Sequence, residues 1–225
     1  MTLDMTAPAR PVLTDRDALA RHRARAFARH DPALFLHEDA AAAEVEERRS
    51  MIKRTFTAPA VVTGAPGFWR DAMPEARVVP DTEVLDLAEG AHDLVVHALA
   101  LHWADDPVGQ LVQARRALAP DGLLIALTLG GQTLTELRQS LTTAEAQLRG
   151  GLSPRVVPMG EIRDLGALLQ RAGFALPVAD GFTRQVSYAT PLHLMRDLRA
   201  MGETNALADR DRRFTPRAVL TEAMR

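Results

Sequence analysis

The chain has 225 residues, which suits one domain with a substantial core. Hydrophobic residues make up 47% and charged residues 25%, and the formal net charge of −2 gives no global attraction to nucleic acid or anionic membranes. The absence of cysteine excludes disulfides, thiolate nucleophiles and cysteine-bound metals. No apolar run approaches the ~18 residues of a membrane span, and the N-terminus lacks a signal-peptide core, so the sequence predicts a cytoplasmic protein without an integral membrane segment.

The first quarter of the chain predicts a flexible tail and then helices. Residues 1–12 carry prolines but no hydrophobic periodicity, which indicates a flexible tail. Residues 13–56 form an N-terminal helical segment, in which Asp31 and Pro32 are residue types that begin a helix. Further helical signals are an apolar face and an ion-pair spacing, formed by Val45, Ile52 and Phe56 and by Glu44 and Arg48.

Residues 57–225 predict one α/β domain. Short apolar runs that read as strands occur at 60–62, 77–79, 93–101 and 123–129. The third run is almost continuously apolar, as expected of a strand that is covered on both faces of a parallel sheet. Asp106 and Pro107 begin a helix between the third and fourth runs, which makes a βαβ unit with a right-handed crossover.

Helix signals dominate the rest of the domain. Thr133 and Glu136 form a capping box ahead of an apolar stripe, so a helix is expected to begin there and to stop at Gly150. A second helix over 161–172 ends at Gly173 in a Schellman-type stop. The remaining expectations are an extended segment with a strand or hairpin at 176–188, a helix from Thr190 and Pro191 to Met201, and a last helix capped by Thr215 and Pro216.

Several strings of residues occur in the order in which one known family has them. Residues 93–103, followed by the Pro-Asp-Gly turn at 120–122, resemble the fourth and fifth strands of class I S-adenosylmethionine (SAM) methyltransferases of the type 11 kind. More specific strings occur at 130–138, 150–154, 164–174 and 194–205. From about residue 13 onward the chain resembles the bacterial and mitochondrial methyltransferase-like assembly factors of respiratory complex I, with Gly-Gly-Gln-Thr-Leu and Met-Gly-Glu-Thr-Asn as the most specific marks.

The resemblance implies a Rossmann-like class I methyltransferase fold with a mostly parallel sheet, a helical N-terminal segment, and a shortened first half and C-terminus. It implies SAM as the cofactor and a protein substrate, a quinone-site subunit of NADH–quinone oxidoreductase that is modified during assembly by hydroxylation or methyl transfer. Two alternatives stay open. One is a non-catalytic complex I assembly chaperone with a degenerate SAM site, and the other is a methyltransferase of a small molecule or a carrier protein.

The first half of the chain departs from the family pattern at the expected SAM site. Gly64 and Gly67 remain of the glycine-rich loop; they would contact the cofactor, or they form a plain strand-to-helix turn. Asp81 and Glu83 match the family's adenine-side acids. The segment before Asp81 is too short for the usual second strand, second helix and third strand, and no clear ribose acid remains. His97 completes the cofactor-side candidates.

The expected catalytic residues follow the clearest strand or lie in loops. His102 and Trp103 come at the carboxyl end of that strand, where ligands bind in open parallel sheets, so they line an active cleft or else fill the core. No third ligand accompanies the histidines of this strand, so no metal site is predicted. Glu203 and Asn205 would hold a guanidinium or amide of a protein substrate. Loop residues that periodicity does not demand, which favours a functional role, are Gln132, Ser153, Arg155, Glu203 and Asn205.

The last residues of the sequence fall within a predicted helix, whereas members of the family continue into a strand that closes the sheet edge. An uncovered edge presents unpaired backbone groups to a second chain. A homo-oligomer formed through that edge is therefore a further expectation.

Overall fold

The computed structural model describes residues 12–29 and 32–224, which form a four-stranded sheet with flanking helices. The N-terminal elements are α1 (Arg16–Phe27), α2 (Phe35–Asp39), a π-helical stretch (Ala40–Glu46) and α3 (Glu47–Met51). The sheet region contains β1 (Pro59–Thr63), α4 (Pro66–Ala72), β2 (Arg77–Pro80), β3 (His92–Ala98), a 3₁₀ turn (Leu101–Trp103), α5 (Pro107–Ala117) and β4 (Leu118–Leu127). The remaining helices are α6 (Thr135–Arg149), α7 (Ile162–Arg171), α8 (Pro191–Met201) and α9 (Arg217–Ala223).

The strands lie in the order β2-β1-β3-β4, and every pair of neighbours is parallel. β1 is an inner strand, in which Val62 pairs with Val79 on one side and with His97 on the other. All residues of β1 are buried, as its unbroken apolar sequence requires. The prediction of a Rossmann-like, mostly parallel sheet is confirmed.

Alternate residues of the inner strands belong to two apolar clusters, one on each face of the sheet. One cluster joins the sheet to α4 and the N-terminal helices and includes Val45, Val61, Trp69 and Val96. The other joins the sheet to α5 and includes Ala60, Val62, Val95 and Ala114. Because side chains alternate across a strand, this two-sided packing explains why β1 and β3 lack an alternation of polar residues.

The N-terminal helix α1 covers the carboxyl end of β3. The segment before α1 forms an antiparallel bridge between Thr14 and Leu207, and Asp15 N donates to Ala206 O at 2.8 Å. The apolar contacts of α1 include Ala18, Leu19, Trp103 and Leu207. Since Trp103 follows β3 directly, α1 and the segment after α8 together close the edge of the sheet where ligands bind in such folds.

The N-terminal segment is helical as predicted, with two differences. Asp31 and most of the predicted tail at 1–12 lie outside the described residues, and the second helix begins at Phe35 rather than at Pro32. Ile52 was expected on the buried face, but α3 ends at Met51 and leaves this side chain exposed. The pairing of Glu44 with Arg48 is confirmed, with a carboxylate–guanidinium distance of 2.8 Å.

Of two predicted helix N-caps, the structure confirms one and contradicts the other. Asp106 caps α5 as predicted, accepting the N–H three residues on at 2.8 Å. The capping box at 133–136 is wrong, because α6 begins at Thr135 and the residue before it, Leu134, has a positive φ of 56°. Thr135 Oγ1 donates to Gln132 O at 2.7 Å, so this hydroxyl closes the preceding turn instead of capping the helix.

The segment 176–188, predicted to contain a strand or hairpin, has no regular secondary structure. Extended apolar sequence becomes a strand where a neighbour accepts its hydrogen bonds, and this segment pairs with none of the four strands. Its apolar side chains are consequently exposed, among them Leu176, Val178 and Phe182.

The first half of the sheet is short, as predicted. Only α4 and β2 lie between β1 and β3 besides connecting loops, so β2 pairs directly with β1. β4 lies at the opposite edge of the described sheet, and self-association through that edge stays a prediction. Among the described residues, no helix combines the length and the apolar character needed to cross a membrane.

Candidate functional site

A buried polar cluster lies at the carboxyl ends of β1, β2 and β3. Gly64 follows β1, Asp81 follows β2, and His102 and Trp103 form the turn after β3. Glu203 reaches the cluster from the end of α8, where Gly202 adopts a φ of 79° and stops the helix. The fold thus brings together residues that are far apart in the chain, since Gly64 and Glu203 are separated by 139 positions.

Glu203 accepts hydrogen bonds from two predicted site residues. His102 Nε2 lies 3.1 Å and Trp103 Nε1 lies 2.5 Å from Glu203 Oε2. Burial acts to raise the pKa of Glu203, but the hydrogen bond and charge of His102, the charge of Arg23 and the Trp103 bond outweigh it and bring the pKa to about 2. Glu203 is therefore an anionic group held in a fixed orientation at neutral pH.

Arg23 of α1 places its guanidinium between two carboxylates of the cluster. Its Nη1 lies 2.8 Å from Asp81 Oδ1, and its Nη2 lies 3.8 Å from Glu203 Oε1. Arg16 Nη2 adds a second cation 3.5 Å from Asp81 Oδ2. A Cβ built on Gly64 would come 2.2 Å from the Arg23 Cζ atom. The space above the first loop glycine is therefore filled by Arg23, a residue of α1 that the sequence did not indicate as part of the site.

A second hydrogen-bonded chain runs beneath the cluster. His97 Nε2 lies 2.8 Å from Gln110 Oε1 of α5, and Gln110 Nε2 donates to the carbonyl of Thr82 at 3.1 Å. Burial lowers the pKa of His97, so its imidazole is neutral. This chain ties β3 and α5 to the backbone that follows β2, and it holds the strand end that carries Asp81.

His37 of α2 is a member of the cluster that the sequence did not indicate. Its Nδ1 accepts a hydrogen bond from Trp69 Nε1 at 3.1 Å. Burial lowers the pKa of His37 to about 4; the charge of Glu203 acts to raise it, and the charges of Arg23 and His102 lower it further. His37 belongs to none of the family strings, and only the packing of α2 on α4 brings it near Glu203.

Unsatisfied polar atoms are concentrated in this cluster. Arg23 Nη2, Asp81 Oδ2, His97 Nδ1 and His102 Nδ1 are buried without a hydrogen-bond partner among the described residues. Buried polar groups are satisfied almost everywhere in folded proteins, so a group of orphaned atoms in one place points to a functional role. The donors and acceptors of this cluster have capacity to bind a ligand.

The other predicted site residues lie outside this network. Gln132 and Glu83 are exposed, and Gly67 has open space where a Cβ would lie. Asn205 Nδ2 donates to Pro154 O at 2.8 Å, and its Oδ1 accepts the N–H two residues on, so it shapes the loop after Glu203. The cluster therefore contains Gly64, Asp81, His97, His102, Trp103 and Glu203 of the predicted set.

Ser153 and Arg155 have a folding role that the sequence did not show. Both bind Glu145 of α6, with Ser153 N at 2.8 Å and Arg155 Nε at 3.1 Å from its carboxylate oxygens. Glu145 is 1% exposed, so this ionic contact is internal. The expectation that these loop residues lack a folding reason is wrong.

The residues expected to bind SAM do not fit that cofactor in the observed arrangement. Asp81 ends the strand that pairs with β1, the position of the ribose acid in related nucleotide folds, rather than an adenine-side position after a third strand. However, Arg23 occupies the space over Gly64 and holds the Asp81 carboxylate. Within the described part of the chain, no group of three or more His, Asp or Glu side chains is arranged to hold a metal ion.

Comparisons with known proteins agree with this topology. Residues 61–126 match the family model described as a methyltransferase domain. The mitochondrial arginine hydroxylase NDUFAF5 of Homo sapiens is 42% identical over 159 residues, which are 68% of this chain and 46% of that protein. The malonyl-[acyl-carrier protein] O-methyltransferase of Laribacter hongkongensis is 40% identical over 137 residues, which are 61% of this chain and 44% of that protein. The chain spans slightly less than half the length of these curated relatives.

A solved SAM-dependent methyltransferase from Thermotoga maritima superimposes with a TM-score of 0.46 at 17% identity, covering 71% of this chain and 81% of that one. The assignment itself rests on the parallel sheet and on the family match. Residues 61–126 match a methyltransferase domain and lie in a parallel α/β sheet, and the chain resembles the mitochondrial arginine hydroxylases.

Proposed function

We propose that this protein is an enzyme of the SAM-methyltransferase fold that modifies an arginine side chain of a respiratory complex I subunit during assembly. The observation that carries the proposal is the pair of carboxylates, buried Asp81 and half-buried Glu203, which flank the Arg23 guanidinium at the carboxyl ends of the strands. The name of the relatives, arginine hydroxylase, agrees with a site of that chemistry.

The residues of the cluster bind and orient the substrate group. Asp81 and Glu203 supply charge-assisted hydrogen bonds, which are about twice as strong as neutral ones. His102 and Trp103 fix the Glu203 carboxylate, and the low pKa of Glu203 keeps it anionic when an arginine approaches. Because the walls are buried, the attraction is stronger than it would be in water.

Hydroxylation is the modification that the relatives' name favours over methyl transfer. It replaces a C–H bond by C–O–H with one atom of dioxygen, while two electrons from an external reductant and two protons convert the other atom to water. A quinone-site subunit of NADH–quinone oxidoreductase is the proposed protein partner, in the cytoplasm. SAM is the cofactor that the resemblance implies, but the residues do not fit it while Arg23 lies over Gly64, so no step of the proposed reaction is assigned to it. Neither nucleic acid nor an integral membrane segment enters the proposal.

The second candidate is a non-catalytic assembly chaperone. Its support is Arg23, which fills the space over Gly64 where the cofactor would approach the loop. A carrier-protein methyltransferase, as in the relative from Laribacter hongkongensis, suits the site less well. A malonyl carboxylate would meet Asp81 and Glu203 with like charge, and like charges at short distance disfavour binding.

The experiment is co-expression of the full chain with the quinone-site subunit, followed by mass spectrometry of the subunit's arginine peptides. We expect one arginine to gain the mass of an oxygen atom, and Glu203→Gln to abolish the gain because the guanidinium loses a charged partner. Glu136→Gln, at an exposed position of α6, is the matched control and keeps the modification. Gain of a methylene mass would assign methyl transfer, and co-purification without any mass change would favour the chaperone.

A further inference from the structure

Arg23 is the arginine of α1 whose guanidinium lies between the two carboxylates, whereas Arg16 of the same helix reaches Asp81 alone and is more exposed. Arg21 and Arg25 on α1 are exposed, whereas Arg23 is 9% exposed and points into the cluster. Burying a charge is costly unless it is paired, and Arg23 meets that condition with Asp81 and Glu203. The inward position of Arg23 is therefore a specific feature of the site and not a consequence of a basic helix.

The backbone that carries Arg23 is held firmly. Thr14 Oγ1 donates to Trp103 O at 2.8 Å, and Arg210 binds Asp15 at 2.8 Å, which fixes the start of α1. A Cβ on Gly202 would come 2.9 Å from the Arg23 Cα, so α1 and the end of α8 are in close contact. Release of the guanidinium consequently requires a change of side-chain rotamer and not the departure of the helix.

The guanidinium is held incompletely. Arg23 makes one hydrogen bond of 2.8 Å to Asp81, while its Nη2 and the Asp81 Oδ2 atom are buried without hydrogen-bond partners. The Glu203 oxygen nearest Nη2 lies at 3.8 Å, beyond hydrogen-bond distance. A guanidinium that approached along a different axis would form the two parallel bonds that carboxylates favour. An arginine from outside has contacts to gain that Arg23 does not make.

We propose that Arg23 is a built-in occupant of a guanidinium site, and that a substrate arginine binds by displacing it from between Asp81 and Glu203. The inference rests on the proposed function for the identity of the substrate, although the exchange of one guanidinium for another rests on the geometry alone. When no substrate is bound, Arg23 thus forms ion pairs with the two carboxylates. A cation that binds the carboxylates more weakly than Arg23 does cannot displace it.

The test compares Arg23→Ala with the wild-type chain in calorimetric titrations with methylguanidinium and with an arginine-containing peptide amide. We expect both ligands to bind Arg23→Ala, and the peptide to bind it about tenfold or more tightly than it binds the wild type, because the guanidinium between Asp81 and Glu203 is gone, while Arg16 at 3.5 Å contacts only Asp81 and is present in both proteins. Arg25→Ala, which removes an exposed arginine of the same helix, is the matched control and keeps the wild-type affinity.

The discriminating ligands are tetramethylammonium and S-adenosylhomocysteine. Neither ligand presents the planar fork of N–H donors that a guanidinium has. A site built for that fork therefore binds methylguanidinium and does not bind these two ligands. If Arg23→Ala bound S-adenosylhomocysteine but not methylguanidinium, the proposal would be overturned, and Arg23 would be a block on the cofactor loop. Equal binding of tetramethylammonium and methylguanidinium would also overturn it, since charge alone would then explain the site.

Arg23→Gln covers the case in which Arg23→Ala does not fold. Glutamine retains hydrogen-bond donors near Asp81 and lacks the charge, so melting curves with and without methylguanidinium report the same exchange. A saturable rise in melting temperature that the wild type lacks supports the proposal, and its absence in a folded variant contradicts it. If the variants bind guanidinium while no protein arginine is modified in the co-expression experiment, the exchange stands and the proposed function fails.

Discussion

Two carboxylates of this protein, buried Glu145 and half-buried Glu203, have similar charges and different roles. Glu145 is a residue of α6; Ser153 and Arg155 bind its oxygens, and Arg149 links it to Asp211. Burial acts to raise the pKa of Glu145, but the bonds from Arg155 and Ser153 lower it overall. Every contact of Glu145 is made within the chain, which is the arrangement of a structural ion network.

The cluster around Glu203 differs in what it leaves unsatisfied. Its members include four buried polar atoms without hydrogen-bond partners, whereas none of the Glu145 group is among the orphaned atoms of the described residues. Satisfied networks rigidify a fold, and incompletely satisfied ones persist where a ligand completes them. A buried charge therefore does not by itself indicate a binding site. Buried donors and acceptors that lack hydrogen-bond partners do.

The largest expected effect comes from breaking the Glu145 network. Glu145→Ala leaves Arg149 with Asp211 and Arg155 with Thr215 as remaining partners, and loss of one partner from a buried ion pair costs about 3–5 kcal/mol of unfolding free energy. The measurement is urea unfolding of the purified chain. Asp86→Asn, which breaks a surface pair with Arg77, is the control and is expected to cost less than about 1 kcal/mol. Equal losses for both variants would contradict the structural role of Glu145.

A smaller effect is expected from protonation of the Glu203 cluster. The pKa of His37 falls from 6.5 to about 4 in the folded chain, so the unfolded chain binds its proton first as the pH drops. The contribution of neutral His37 to stability is therefore complete above pH 6.5 and is lost towards pH 4, with a magnitude of about 3 kcal/mol. The pKa of Glu203 is lowered from 4.5 to about 2, so protonation of Glu203 adds a second loss of stability as the pH falls from 4.5 towards 2.

Unfolding measurements at successive pH values separate these two groups. His37→Gln keeps an acceptor for Trp69 Nε1 and is expected to reduce the pH dependence in the upper window, to which His22 and His97 also contribute, while leaving the lower window unchanged. His193→Gln, at an exposed position of α8, is the control and leaves both windows in place. A wild-type stability that is flat across the upper window would show that His37 is not held neutral by the cluster.

The smallest effect expected distinguishes the two glycines of the loop. Gly64→Ala drives a Cβ to 2.2 Å from Arg23 Cζ, and such overpacking costs about 1–3 kcal/mol unless the guanidinium moves out. Gly67→Ala meets nothing within 4 Å and lies in α4, where alanine is favoured over glycine by about 1 kcal/mol. Thermal melts of both variants test this, and destabilisation by Gly67→Ala alone would reverse the assignment of the filled and open positions.

Much of the architecture was predictable because its signals are local. The apolar runs at β1 and β3 predicted buried strands, and Asp106 with Pro107 predicted the start of α5. The capping box predicted at 133–136 is wrong although its residue types are suitable, because the residue before Thr135, Leu134, has a left-handed backbone conformation. Capping geometry depends on how a chain segment arrives, which neighbouring packing decides.

The candidate site was predictable only in part, for the same reason. His102, Trp103 and Glu203 lie in recognisable strings and were predicted as site residues, but their contact with one another was not predicted. Arg23 and His37 lie on amphipathic helices whose charged residues usually face water, and nothing local distinguishes Arg23 from Arg25.

The sequence by itself determined the α/β class, the parallel sheet and the short first half, because strand burial and helix caps are written in neighbouring residues. The tertiary structure alone decided that β2 pairs with β1, which puts Asp81 beside the loop glycines, and that α1 turns one arginine inward. Contacts between residues far apart in the chain depend on the summed packing of several elements, and no local pattern encodes them. The charge environment of Glu203 is such a property, since it exists only when α1, β3 and α8 meet.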